Sequence, residues 1–471
     1  MTSVLIAGAG PTGLTLACDL ARWGVDVRIV DKAARFSPAS RGKTLNPRSL
    51  EILEDLGLVD EIIAAGITHL RYRKYRDGRQ LSELDPFAEP GPTPDAPYDS
   101  LLFVPQWRTE EILRDKLASS GVKVELDTEL KDFTQTPDNV RATLADGREI
   151  TADYLVGCDG GHSLVRKLLG VSFAGETARE QTMICGDVEV DRLDPNVWHQ
   201  WIDEDGAVLL SPFRCTRSWQ LQASCAPDAD GRLPEPTLAT FQRLFDKHAR
   251  IPGVRLRDLT WSTTWTVNTR MVDRYRVGRV LLAGDAAHIH PIAGGLGMNT
   301  GIQDAWNLGW KLALVVSGRA GTDLLDTYEE ERLPIAAWTL NLTTDRLNAV
   351  MAAVRKPGVG LERVLTPEGR GLTIGYPWSS LAGANGGGRA PDAPTATGRL
   401  FDMFAGPHFT LLTFGDVQAE IPVDTYRITD DNVRATYGIE GDGMVLVRPD
   451  NHVALTSADP RPVMDYLAAL A

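Results

Sequence analysis

Cysteine is scarce and unpaired in this chain. There are five, Cys18, Cys158, Cys185, Cys215 and Cys225, an odd number with no C-x-x-C pair. That argues against a disulfide framework and a C-x-x-C redox motif, and it fits a reduced, cytoplasmic setting. No apolar run approaches the roughly 20 residues of a membrane helix. The opening "MTSVLIAGAGPTG" lacks the basic flank and cleavage site of a secretory signal, so none is expected. Basic charge is in deficit: 49 Lys+Arg against 63 Asp+Glu give a net charge of −14. A surface of that sign argues against nucleic-acid or anionic-membrane partners. The eight histidines are too scattered to supply three or four ligands, so no metal is expected. Repeats and charge blocks are absent. What is present is 43% hydrophobic content over 471 residues, ample for a large core in two or three domains.

The first informative stretch follows "SVLIA", a short buried strand. Gly8-x-Gly10-x-x-Gly13 opens "LTLACDLARWG", where Leu14, Ala17, Cys18 and Ala21 recur at helical spacing and Gly24 ends the helix. "VDVRIV" is a second strand, with Asp31 and Lys32 at its end. Gly8 permits a tight turn, Gly10 lets a pyrophosphate approach the backbone, and Gly13 lets helix and strand pack closely. Pro11 and Thr12 begin the helix, whose free N–H groups and positive dipole end suit phosphates. Asp31 is placed to accept from ribose hydroxyls and would repel a 2′-phosphate, which favours FAD or NAD over NADP as the bound dinucleotide.

Two later stretches have the same strand–turn–helix form. "YLVGC" runs into Asp159-Gly160-Gly161 and the helix "SLVRKLLG", with Ser163 as a cap. Asp159 alone reads as a turn aspartate; its place after an apolar strand makes it a cofactor candidate. "VLLAGDAAHIHPIAGGLGMNTG", residues 280–301, is a strand ending in Gly284-Asp285, then a loop with Pro291, Gly294, Gly295 and Gly297. A helix is expected to begin near Met298, carrying an apolar stripe through Ile302, Ala305, Gly309, Leu312 and Val316. So bare a loop would leave a flat ring unobstructed.

At this point the chain resembles a family. "GAGPTGL", "CDGGHSLVRKLLG" and "GDAAHIHPIAGGLGMNTGIQDAWNLGWKLA" look like the three signatures of single-component FAD-dependent aromatic hydroxylases, the p-hydroxybenzoate hydroxylase-like group, and "YEEERLPIA" matches too. The resemblance implies that Asp285 holds the ribityl chain. It also implies that Pro291, Gly295, Gly297, Met298 and Asn299 lie against the isoalloxazine, where backbone N–H groups favour negative charge on reduced flavin. Arg41 and Gln106 match family positions on FAD. Both Arg41 and Arg48 also read as solvated arginines; Arg48 is a candidate for the active-site wall. His288 is expected to orient the loop, and His290, Ile292 and Ala293 to line the pocket.

Residues 176–270 hold β-rich runs bounded by turn signals, read as a mostly antiparallel sheet over the flavin. Trp198, Trp201, Phe213, Trp219, Trp261 and Trp265 bring aromatic surface to it. Most should be core; Trp201 and Phe213 are the named pocket candidates. Arg214 reads equally as a substrate-oxygen contact or a surface side chain. Residues 380–399 look like a linker, and the tail resembles the thioredoxin-like domain of the larger polyketide-type hydroxylases; it has no cysteine, which excludes disulfide exchange.

The expected fold is α/β (α+β overall): a Rossmann-type FAD-binding domain (1–70, 104–175, 271–350), an inserted β-sheet substrate domain (71–103, 176–270), a helical connection (351–384) and a thioredoxin-like C-terminal domain (385–471). The resemblance implies an NAD(P)H-dependent flavin monooxygenase. NADPH or NADH would bind transiently, O2 would give a flavin C4a-hydroperoxide, and a small aromatic substrate, a polyketide-type phenol or quinone as in antibiotic biosynthesis, would be hydroxylated. No side chain is singled out as catalytic, because the flavin carries the chemistry. Baeyer–Villiger insertion, antibiotic-inactivating hydroxylation and a non-catalytic flavin-binding scaffold are the alternatives, and a homodimer is admitted.

Overall fold

Val4, Leu5 and Ile6 are fully buried because Thr2–Ala7 lies at the centre of a sheet, flanked in parallel by Val27–Val30 and Glu149–Gly157. A strand covered on both faces needs such an unbroken apolar run. The computed structural model describes residues 2–86, 91–227, 232–290, 295–354, 367–417 and 420–470. Val280–Leu282 pairs in parallel with Glu149–Gly157 and Val124–Glu125 with Val27–Val30, while the hairpin Leu130–Gln135/Val140–Leu144 attaches at the side. The helices Pro11–Arg22 and Leu296–Val316 pack together beside this sheet. The second of them begins two residues earlier than the apolar stripe suggested.

A second sheet of eight strands stands beside it, in the order 288–289, 256–272, 173–190, 218–224, 206–212, 197–203, 71–76, 79–84. All neighbours are antiparallel except 197–203 with 71–76. The helix Leu238–Ala249, unforeseen from sequence, covers one face. Its Phe241 and Phe245 pack with Ile184, Val188, Trp201, Leu210, Trp219 and Leu221. Side chains alternate along a strand, so Cys185, Asp187, Trp198, Gln200, Leu209, Ser211, Gln220 and Gln222 occupy the opposite face.

The tail forms a four-stranded sheet, 424–428, 410–414, 443–447, 453–457, with one parallel pair. This is the order a thioredoxin-like core requires. Residues 380–399, expected as a linker, are instead held fast. Gly383 N donates to Ala454 O (2.9 Å), Gly387 N to Val453 O (2.7 Å) and Ala390 N to Asn451 O (3.0 Å). The glycines that suggest freedom serve close approach: a Cβ on Gly387 would sit 2.6 Å from the Tyr376 carbonyl carbon. A buried ion network completes the attachment, with Glu331 accepting from Arg448 (2.6 and 2.9 Å) and Lys311 (2.7 Å). No described helix is long and apolar enough to cross a membrane.

Candidate active site

The first and third glycine-bearing turns meet at one side chain, and the second packs against the first. A Cβ on Gly284 would lie 2.5 Å from Thr12 Oγ1, and one on Gly301 would collide with the same oxygen. Thr12, at the start of the first helix, is thus wedged between the strand–turn and the helix of the third motif. Gly8 (φ +105°) leaves no room for a Cβ beside the Cys158 carbonyl, and Gly13 leaves none beside the Gly8 carbonyl. These two glycines serve packing. Gly10 and Gly297 differ: nothing among the described residues lies within 4 Å of where their Cβ atoms would be. Each borders the start of a helix whose N-cap, Gly10 or Gly295, offers no side chain. Two positive helix ends therefore lie beside space that the described residues leave open.

Carboxylates border the same trench. Asp31 accepts from Ala9 N and Ala33 N, both 2.8 Å, fastening the glycine turn to the strand end. Asp159 Oδ2 caps the following helix through Leu164 N (2.6 Å) and Val165 N (3.2 Å), while its Oδ1 is buried without a partner among the described residues. Asp285 presents an exposed side chain in the turn Gly284–Ala286. Protein surrounds it closely enough to push its carboxyl up from the usual range, against the pull of His288 and Arg41. Arg166 donates to Ala286 O and Gly161 O, 2.8 Å each, and so ties the second motif to the third. Such a frame fits a dinucleotide: open glycines for close approach, helix ends for phosphates, and an unsatisfied buried carboxylate oxygen that requires a donor.

Other expected residues have definite places. Gln106 Oε1 accepts from Gly42 N (2.9 Å), and a Gly42 Cβ would lie 3.0 Å from Met298 Sδ, so Gln106 and Met298 grip one loop between them. Asn299 is consumed in structure: it accepts from Asn46 N (2.8 Å) and donates to Thr44 O (3.1 Å) and Gly295 O (2.7 Å). Pro11 starts its helix, and Lys32 and Arg41 are exposed near the trench. Pro291, Ile292 and Ala293 lie outside the described residues. Trp201 is not brought to this side. It is fully buried on the helix-covered face, stacked on Tyr75 (4.8 Å) and edge-on to Phe245 (5.3 Å). Arg48 is buried in an ion pair with Glu51 (2.8 Å) and bonded to Asp450 O (2.8 Å), committed to the tail. Phe213 is buried and Arg214 exposed.

His288 and His290 join a chain that sequence reading did not assemble. His290 Nε2 lies 2.8 Å from His288 Nδ1, and His288 Nε2 2.6 Å from Asp304 Oδ2. Asp304 also accepts from Gly284 N (3.0 Å) and Arg332 Nε (2.7 Å). Burial works against charge on Asp304, but His288 and Arg332 outweigh it and hold the carboxyl below its ordinary value. Burial, then His288, pushes His290 well down, so it is neutral. The available signal was a lone acid among apolar residues in "GIQDAWNLGW", with an arginine in "YEEERLP" to match it. Lys43, Gln200 and Ser211 were also missed; they face the trench side of the second sheet. Asp203, Asp205 and His248 bring ligand-type atoms within 4.8 Å of one another, but Asp203 is bonded to His248 and Asp77 N, and Asp205 to Lys247.

A mostly parallel α/β sheet with this trench, faced by a second sheet, defines a dinucleotide-binding oxidoreductase of the flavoprotein type. The chain belongs to the FAD-binding domain family, whose model matches residues 1–343. It is 42% identical to a flavin-dependent monooxygenase of Mycobacteroides abscessus, covering 99% of both chains. It is 35% identical to 6-methylpretetramide 4-monooxygenase of Streptomyces rimosus, over 96% of this chain and 90% of that protein. Among solved structures, aklavinone-11 hydroxylase with FAD and aklavinone superimposes with a TM-score of 0.83 at 29% identity, over 100% of this chain and 98% of that one. The protein is an FAD-dependent monooxygenase.

Proposed function

We propose that the protein hydroxylates a polycyclic phenol or quinone, with electrons from NADPH or NADH and one oxygen atom from O2. The observation that carries this reading is the buried second-sheet face, polar but unsatisfied, set against the segment 40–43 that borders the trench. Ser40 N donates to Asp187 (2.9 Å), and Gln220 Nε2 donates to Ser40 O (2.7 Å). A flat substrate with oxygens at its edge suits such a face. Relatives named for tetracyclic substrates support it.

The turn of Gly8, Gly10, Pro11, Thr12 and Gly13 would seat the pyrophosphate, and Asp31, with Lys32 and Arg41 nearby, the adenosine end. Asp159 and Asp285 would take donors from the cofactor's polyol and ribose. Gln106 holds Gly42, and Gly295, Gly297, Met298 and Asn299 shape the helix end that favours negative charge beside the ring. Bound FAD supplies the redox chemistry, accepting hydride and activating O2. The protein's own tasks are to orient the substrate and keep water out.

Purified protein should be yellow with one FAD per chain. Asp285→Ala should fold, because the side chain is exposed, but bind FAD at least about tenfold more weakly, the loss of one charge-assisted hydrogen bond. A hydroxylated polyketide scaffold should accelerate NADPH oxidation and gain one oxygen atom. NADPH oxidation indifferent to every aromatic tested, in protein that holds FAD, would reject the reading.

A further inference from the structure

Lys43 stands between the two halves of the site. Its neighbours in the chain are bound to the trench: Gly42 by Gln106 and Met298, and Thr44 by Asn299, through its carbonyl. Its own side chain turns to the second sheet, where Nζ lies 4.2 Å from the ring centre of Trp198. The Nζ is buried and has no hydrogen-bond partner among the described residues. It is not alone. Gln200 lacks partners for both amide atoms, Ser211 for its hydroxyl, and Trp198 for its indole N–H. Gln200 and Ser211 are each fully buried.

These groups share one face by register. Gln200 pairs with Leu209, and Leu209 with Gln222; Ser211 pairs with Gln220, and Gln220 with Asp187. A buried donor or acceptor left unmade is costly, and natural proteins leave few. Here an amine, a carboxamide, a hydroxyl and an indole are left unmade together, beside the trench. These atoms are closed off from solvent, so a polar occupant reaches them only as the side chains that cover them move aside.

We propose that Lys43 receives a phenolic hydroxyl of the substrate, takes its proton and holds the resulting phenolate against Trp198, while Gln200 and Ser211 bond the adjacent carbonyl or hydroxyl oxygen of a hydroxyquinone. The proposal rests on the hydroxylase reading above. One O–H bond breaks and one N–H bond forms on Nζ; nothing is oxidised. The gain is chemical as well as steric. A phenolate is richer in electrons at its ortho and para carbons than the phenol, which is what an incoming electrophilic oxygen needs.

The surroundings allow a lysine to act as a base. Burial pushes Lys43 down to about 7, although Cys185 and Asp187 pull the other way. Two titratable groups pull on it, and Lys74, buried and in register with Gln200, shares the face. Burial pushes Cys185 up to about 12, so it is an uncharged thiol. Asp187, pushed up to about 6 by burial, gives its oxygens to Ser40 N and Oγ. Neither forms an ion pair that would fix Lys43 in its charged state.

Alizarin, a hydroxyanthraquinone whose neutral and phenolate forms differ in visible colour, tests this on oxidised FAD-loaded enzyme without NADPH. Bound alizarin should ionise at least about one pH unit lower than free alizarin, a tenfold bias. Lys43→Met should abolish that shift and weaken binding at pH 8 about tenfold or more. Lys43→Arg should still bind the phenolate, yet lose the pH dependence that a titrating lysine gives. Gln200→Leu and Ser211→Ala should weaken binding without moving the colour change. FAD content checks the folding of each variant. Failure of the intact holoenzyme to bind alizarin, or a Lys43→Met protein with unchanged affinity and spectrum, overturns the assignment and leaves this face to buried water. Absence of FAD from well-folded wild-type protein would instead reject the flavoenzyme reading itself.

Discussion

Replacing Asp304 by Asn removes one charge and almost no volume from the centre of the molecule. Asp304, Arg332 and His288 are all completely buried. In the variant, the Arg332 guanidinium keeps its bond to Thr300 O (3.2 Å) and the Tyr376 hydroxyl (3.1 Å) but loses its only close carboxylate among the described residues. An uncompensated buried charge of this kind costs about 3–5 kcal/mol. Equilibrium urea unfolding of the apoprotein, followed through tryptophan fluorescence, measures it; Trp306 and Trp310 lie buried on the same helix as Asp304. The decisive comparison is the double variant Asp304→Asn/Arg332→Met. With both charges gone, at least about 2 kcal/mol of the single-variant loss should return.

The pH dependence has a defined sign. Asp304 sits below its ordinary value in the folded protein, so its contribution is complete above the unfolded carboxyl value of about 3.9 and is lost as pH falls through the folded one. The gap between wild type and Asp304→Asn should therefore be full at pH 7 and shrink below about pH 4. A single-variant cost under about 1 kcal/mol, or strict additivity in the double variant, would show that Arg332 finds its compensation elsewhere and would refute the reasoning.

Gly10→Ala and Gly13→Ala separate cofactor space from packing. Gly10 has φ −77° and open surroundings, so alanine should leave stability within about 1 kcal/mol while FAD titration shows weakened binding; Gly13→Ala, colliding with the Gly8 carbonyl, should yield little soluble protein. Burial pushes Glu110 up to about 7, against Gln106, Arg114 and Arg41. A raised carboxyl costs stability as pH rises from the unfolded value through the folded one, so Glu110→Gln should stabilise by about 3 kcal/mol at pH 8 and by little at pH 4, in thermal or urea unfolding at the two pH values. Glu331→Gln leaves Arg448 and Lys311 short of a counter-charge at the junction with the tail. Limited proteolysis should then cut within 380–399 faster than in wild type, with the flavin retained; equal rates would show that the backbone bonds of that segment suffice.

What could be read from the sequence follows from how local each cause is. The glycine turn at 8–13, the cap at Ser163 and the strand–turn–helix at 280–301 carry local signals, although the steric reasons for Gly8 and Gly284 lie far along the chain, at Cys158 and Thr12. The tail as a small α/β unit and the sheet at 176–270 were legible as classes, because alternation and turn residues mark strands without naming their partners. Which face a residue takes depends on a partner far away in the chain. Trp201 and Trp198 are both aromatic residues of one strand, yet the helix 238–249 claims the first and leaves the second beside Lys43. Arg48 looked like a pocket arginine until residue 450 reached it. Lys43 carried no signal at all: a lysine beside Arg41 in a polar loop is ordinary. Its peculiarity arises only when the loop is pinned at Gly42 and Thr44 and the second sheet removes water from Nζ. The chemistry of this site is therefore written half in motifs and half in burial. The half written in burial, a base with no partner facing a carboxamide with none, is the one that selects a substrate.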